Sequence, residues 1–150
     1  MTYEPYDRQA ASEIIAGFDA RPEMLVQVLH AFIRRFGWIS EDAVRQLADE
    51  LNVSRADVHG VVSYYHDFRT TPPGEHIIKV CAAEACQAMG SRRLETHARR
   101  QLADSKITLE LVYCLGNCAC SPAIMVDDKT YGRVSAARFD EIVAGLGGDN

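Results

Sequence analysis

The chain has no uninterrupted apolar stretch long enough to cross a bilayer. Its longest apolar runs, such as Ile107 to Leu115, stop well short of the roughly 18 residues a spanning helix requires. It has no basic n-region followed by an apolar segment, and Glu4, Asp7 and Glu13 stand where a secretory leader would need them least. A cytoplasmic protein is the expectation. It has no excess of positive charge: 16 Lys and Arg against 21 Asp and Glu leave a net −5, which argues against nucleic acid as the main partner because phosphate contacts need a basic surface. It has no G-x-G-x-x-G, no G-x-x-x-x-G-K-[ST] and no serine-centred elbow, so neither nucleotide binding nor acyl chemistry has a visible home. Internal repeats and low-complexity tracts are absent too. What remains is a chain of 150 residues, 47% hydrophobic and 25% charged, which suits a soluble globular protein with one ordinary core or a small core and a helical appendage.

The first seventy residues read as helical. A modest segment covers Arg8 to Phe18. A stronger one is opened by Pro22, a residue suited to a first helical position, and carries Met24, Leu25, Val28, Leu29, Phe32, Ile33 and Phe36 at spacings of three and four, with Gly37 as terminator. Ser40, followed by Glu41 and Asp42, caps a third segment that lines Val44, Leu47, Ala48 and Leu51 on one face. Ser54 with Asp57 three residues on resembles a capping box for a fourth, using Val58, Val61, Val62 and Tyr65. Thr71, Pro72, Pro73 and Gly74 then break the pattern, since consecutive prolines cannot continue a helix. Two domains are expected, a helical bundle over 1–73 and a second over 74–150.

Beyond the break the period changes. Ile77, Ile78 and Val80 read as a strand, Gln87 to Leu102 as a helix, and Ile107 to Tyr113 as an alternating strand. Ala123 to Val126 and Tyr131 to Val134 read as a hairpin joined through Asp127, Asp128 and Lys129. Ser135 caps a last helix using Phe139, Ile142, Val143 and Leu146. The order strand, helix, strand, hairpin, helix suits a thioredoxin-like α/β layer of sheet covered by helices, although order alone allows other α/β folds.

Five cysteines supply the chemistry. Cys81 and Cys86 have four residues between them, Cys114 and Cys118 three, and Cys120 follows two positions on. In a cytosolic chain clustered thiols read first as metal ligands or redox groups and second as disulfides. Cys81 ends the first strand, Cys86 opens the following helix, Cys114 ends the second strand and Cys118 lies in the next loop. If the two strands run parallel, all four sulfurs emerge at one end of the sheet. A [2Fe–2S] cluster needs two thiolates on each iron, which two separated pairs supply. Leu115, Gly116 and Asn117 would form a tight loop whose N–H groups can point at sulfur, with Gly116 allowing a close backbone approach, and a helix start beside the first pair adds partial positive charge. A structural zinc site of four thiolates is the rival, and thiol redox chemistry a third reading, weakened because the first pair is not C-x-x-C. No histidine sits beside either pair in the manner of a Rieske ligand. For Cys120 two readings stand: a substitute for Cys118, or a small buried hydrophobe beside the site.

The run His59-Gly60-Val61-Val62-Ser63-Tyr64-Tyr65, the pair Cys81 and Cys86, and Cys114-Leu115-Gly116-Asn117-Cys118 followed by Ser121-Pro122-Ala123 resemble the thioredoxin-like [2Fe–2S] subunit of respiratory complex I and its relatives. The resemblance spans almost the whole chain. Within that family Ala83-Glu84-Ala85-Cys86-Gln87-Ala88-Met89-Gly90 looks most like the gamma subunit of NAD-dependent, molybdenum-containing formate dehydrogenases. The resemblance implies Cys81, Cys86, Cys114 and Cys118 as ligands of one [2Fe–2S] cluster and raises iron–sulfur above zinc. It also implies a one-electron carrier that docks on a flavin- and NAD-binding subunit while a molybdenum-containing large subunit oxidises formate. FMN, NAD and the molybdenum cofactor then belong to those partners, and no catalysis is expected of this chain alone. The equivalent subunit of complex I or of an NAD-reducing hydrogenase is the alternative, and a zinc-stabilised structural adaptor the alternative from another class.

Other residues have plainer readings. Arg92, Arg93, Arg99 and Arg100, with Glu95 and His97, read as a solvated helical face. His59 and His66 read as packing or capping residues and Trp38 as a packing residue, while Tyr64, Tyr65 and Phe68 are expected to pin the bundle to the cluster domain.

Overall fold

Helix caps and apolar spacing account for the N-terminal half. Asp7 accepts the Ala10 N–H at 2.8 Å and starts α1 (Arg8–Ala16). Pro22 opens a 3₁₀ turn, Pro22–Met24, rather than the helix itself; α2 (Leu25–Phe36) follows and ends at Gly37, whose φ of 80° is the left-handed conformation glycine adopts without strain. Ser40 caps α3 (Glu41–Glu50) through the Ala43 N–H. The capping box is present at α4 (Arg55–Tyr64), with the Ser54 hydroxyl on the Asp57 N–H and the Asp57 carboxylate on the Ser54 N–H. Val28, Leu29, Phe32, Phe36, Ile39, Leu47, Leu51, Val58 and Val62 form the bundle core, each large member contributing about 1.5–3 kcal/mol by leaving water. Gln46 is buried among them and satisfied: the two hydrogens of its Nε2 have the Arg8 carbonyl, the Ser12 hydroxyl and the Glu50 carboxylate within hydrogen-bond distance, while its Oε1 accepts from Tyr6. Burial pushes the Tyr6 phenol above its ordinary pKa. Phe68 belongs to this core, edge-on to His30 and tilted against Tyr65. Within this unit Phe68 is buried while Tyr64 and Tyr65 are exposed.

The structure, a computed structural model, describes residues 3–146; it divides into one unit ending at Pro73 and another beginning at Gly74. The second unit holds β1 (His76–Cys81), α5 (Glu84–Ala88), α6 (Ser91–Gln101), β2 (Ile107–Val112), β3 (Ile124–Val126), β4 (Lys129–Tyr131) and α7 (Ala136–Leu146). Its mixed sheet runs β2-β1-β3-β4, with β1 and β2 parallel and the rest antiparallel. Parallel neighbours need a crossover, which α5 and α6 provide. Ile78, Val80, Ile124 and Val126 pack with Leu94 and Ala98 of α6, Leu102 just past its end and Phe139 of α7, the thioredoxin-like layer of sheet and helices. Among the described residues no helix is long and apolar enough to cross a membrane.

Three expectations for this unit need correction. The helix from Gln87 to Leu102 is instead two, broken at Gly90 with φ 95°, a conformation that interrupts an α-helix. The second hairpin strand lies at Lys129–Tyr131 rather than Tyr131 to Val134. Asp127 adopts φ 52° and its carboxylate takes the Ile77 N–H and His76, so the turn closes two residues after Val126 and Val126 pairs with Lys129. Val134 then leaves the ladder, its N–H donating to the Pro122 carbonyl while its side chain joins the core. His97 also departs from the solvated face, bonding Asp140 of α7 at 2.7 Å and standing edge-on to Phe139.

Candidate metal centre

The parallel pairing of β1 with β2 brings the cysteine loops to one end of the sheet. Cys81 is the last residue of β1, opposite Val112, the last of β2. Cys114 lies two residues past the end of β2 rather than ending it, and Cys118 opens a 3₁₀ turn, Cys118–Cys120. Cys86 sits in the middle of α5 rather than at its start, and α5 is only five residues long. Named N–H groups therefore matter more here than a helix dipole.

Those groups converge on Cys81. Burial raises its thiol pKa, but N–H bonds from Ala83, Leu115 and Cys114 together with the Cys86 thiol outweigh burial and hold Cys81 below the ordinary thiol range. The donors come from both loops, so the two cysteine segments share one electrostatic site. Cys114 and Cys118 lie 3.8 Å apart, sulfur to sulfur, and the Gly116 N–H points at the Cys114 sulfur at 3.3 Å. The bond with Cys114, and then its charge, push the exposed Cys118 thiol upward, with smaller contributions from Cys86 and Cys81. Cys81 and Cys86 are buried while Cys114 and Cys118 face solvent, an inner pair and an outer pair.

The backbone is bent to present these sulfurs. Cys114 has φ 97°, a region that suits glycine; holding a side-chain-bearing residue there costs on the order of 1–3 kcal/mol. Gly116 has φ 74°, and a β-carbon there would meet nothing within 4 Å, so in this fold its conformation and not a close neighbour calls for glycine. The close approach falls instead at Gly132, where a β-carbon would sit 2.6 Å from the Cys120 β-carbon and 2.8 Å from both the Asn117 side-chain nitrogen and the Cys120 carbonyl. Gly132 escaped the sequence reading, although a glycine at the end of a strand is a signal of such an approach. Cys120 is half-buried against it, and its carbonyl accepts the Arg133 N–H at 2.6 Å. Ser121, also unremarked in the sequence beyond its place in a motif, is buried between the loops; the Ser121–Pro122 peptide is cis.

Among the described residues no three His, Cys, Asp or Glu side chains are set around a single ion. Paired thiols with an N–H group aimed at sulfur fit a binuclear centre with two thiolates per iron. His59 and His66 are exposed and belong to the other unit.

Comparison with known proteins agrees. The NADP-reducing hydrogenase subunit HndA of Solidesulfovibrio fructosivorans is 31% identical over 143 residues, covering 88% of this chain and 84% of that one. One subunit of the NADH-quinone oxidoreductase of Pseudomonas aeruginosa is 33% identical over 117 residues, 73% of this chain and 70% of its own. In three dimensions the chain resembles part of an NAD+-reducing [NiFe]-hydrogenase in its air-oxidised state, with TM-score 0.68 and 20% identity, covering 83% of this chain and 23% of that one. The family model for the thioredoxin-like [2Fe-2S] ferredoxin matches residues 11–147, all five cysteines included. With relatives, fold and paired thiols in agreement, the chain belongs to the thioredoxin-like [2Fe–2S] ferredoxins, electron carriers whose cofactor is one [2Fe–2S] cluster.

Proposed function

We propose that Cys81, Cys86, Cys114 and Cys118 hold that cluster, that 74–150 forms the cluster domain and 1–73 a helical accessory domain, and that the chain relays single electrons inside an NAD-dependent formate dehydrogenase. The observation that carries the ligand set is the convergence of the two cysteine loops at one end of the parallel strands, with the Cys114 and Cys118 sulfurs 3.8 Å apart. When bound, such a cluster takes up and releases one electron. The protein's part is to hold four thiolates, supply N–H groups to sulfur and keep the inner pair from water. Cys114 and Cys118, on the solvent side, are the ligands a redox partner would approach.

A flavin- and NAD-binding subunit is the proposed partner, in keeping with the pyridine-nucleotide-linked complexes to which the named relatives belong. The formate assignment rests on the run from Ala83 to Gly90, and a molybdenum-containing large subunit is proposed on the same ground. A place in complex I or an NAD-reducing hydrogenase is the second reading, favoured by the identity of those relatives. Electron paramagnetic resonance of the anaerobically purified, dithionite-reduced chain is expected to give one spin and two irons per chain. A folded, redox-silent protein containing zinc would overturn the assignment. The complex purified from its host is expected to reduce NAD with formate while the isolated chain does not. A host complex without molybdenum would move the chain to the second reading.

A further inference from the structure

Ser121 occupies an unusual position for a hydroxyl. It is 8% exposed, its Oγ lies 3.4 Å from the Cys86 sulfur, and it donates to the Cys118 carbonyl at 2.8 Å. One buried side chain thus touches one cysteine of the inner pair and the backbone of one in the outer pair. With Cys86 as a thiol, its S–H donates and Ser121 accepts. A ligating cysteine has lost that proton and can only accept. The serine hydrogen is free to rotate, and a charge-assisted bond is roughly twice as strong as a neutral one. With Cys86 as a thiolate, rotation of that hydrogen from the Cys118 carbonyl to the Cys86 sulfur would give a charge-assisted bond.

Resting on the ligand set given above, we propose that Ser121 is a positioning residue for electron transfer, a buried hydroxyl that donates to the Cys86 thiolate and so raises the reduction potential of the centre. The sign follows from charge. Reduction adds an electron to an already anionic site, and a donor on sulfur stabilises the more negative state more. Cys86 and Ser121 are both buried, so the bond acts at low local dielectric, where it is strongest.

The experiment is a potentiometric titration of the holoprotein, followed by its paramagnetic signal, for wild type, Ser121→Ala and Ser121→Thr, with iron counted in each. Ser121→Ala is expected to keep two irons per chain and to shift the oxidised-to-reduced equilibrium about tenfold toward oxidised, a fall of about 59 mV for a one-electron couple. Ser121→Thr, which keeps the hydroxyl, is expected to titrate with wild type. An unchanged potential in Ser121→Ala, or an equal fall in both variants, overturns the proposal. Should Ser121→Ala fail to load, Ser121→Gly, which also lacks the hydroxyl, takes its place: a lowered potential with Ser121→Thr unchanged supports the hydroxyl, and an unchanged potential refutes it. A wild type that binds no iron would instead refute the ligand set.

Discussion

Replacing Gly132 by alanine should damage the metal loop from a residue that is not itself a ligand. The added methyl would lie 2.6 Å from the Cys120 β-carbon and 2.8 Å from the Cys120 carbonyl, and neither is the far end of a flexible side chain that can swing aside. Overpacking of this kind costs roughly 1–3 kcal/mol. Relief requires the loop to move away, which sacrifices the Arg133 N–H bond to Cys120, another ~1 kcal/mol. The sum is about 2–4 kcal/mol, charged to the unit that begins at Gly74. With a urea m-value of roughly 1–2 kcal/mol/M, the midpoint for that unit should fall by at least about 1 M. Urea titration read by hydrogen exchange at β1 amides would measure it, with chelator-driven iron release in parallel. Gly145→Ala is the control: a β-carbon there meets nothing within 4 Å and the site is helical, so alanine should be neutral or stabilising by up to ~1 kcal/mol. A Gly132→Ala protein with the wild-type midpoint and wild-type iron release would refute the reasoning.

Cys118→Ser should cost far more iron than Cys120→Ser, since Cys118 meets Cys114 sulfur to sulfur while Cys120 packs on Gly132; equal iron retention in the two would undo the ligand assignment. Asp127 adds a pH dependence. Its burial opposes ionisation, but the bonds to His76 and from the Ile77 N–H outweigh burial and hold the carboxyl below its ordinary value. Its contribution is then present above the unfolded carboxylate pKa of about 3.9 and is lost as pH falls through the lowered folded value. Asp127→Asn should flatten the acid limb of the stability curve of the second unit, and a limb of unchanged steepness would count against that role.

Much of this protein was legible one segment at a time. Asp57 beside Ser54, the apolar stripe of α2 and the glycine after Phe36 each specify their helix within a few residues, because caps and amphipathic faces are local devices. The grouping of Cys81 with Cys86 and of Cys114 with Cys118 is read from spacing, which by itself leaves an iron–sulfur centre and a zinc site both open; the family resemblance favours the cluster. Where the local signal was ambiguous, distant contacts decided. The hairpin closed early because Asp127 reaches the Ile77 N–H, fifty positions back along the chain, and Arg133 left the ladder for the Cys120 carbonyl. His97 reads as solvated on its own helix until α7 brings Asp140 and Phe139 against it. Residue types and their spacing alone determined which sulfurs stand in pairs. Only the tertiary structure decided which pair is buried, that Cys81 collects N–H groups from both loops, and that one serine hydroxyl bridges them, because these depend on the parallel register of β1 and β2, which no single segment encodes.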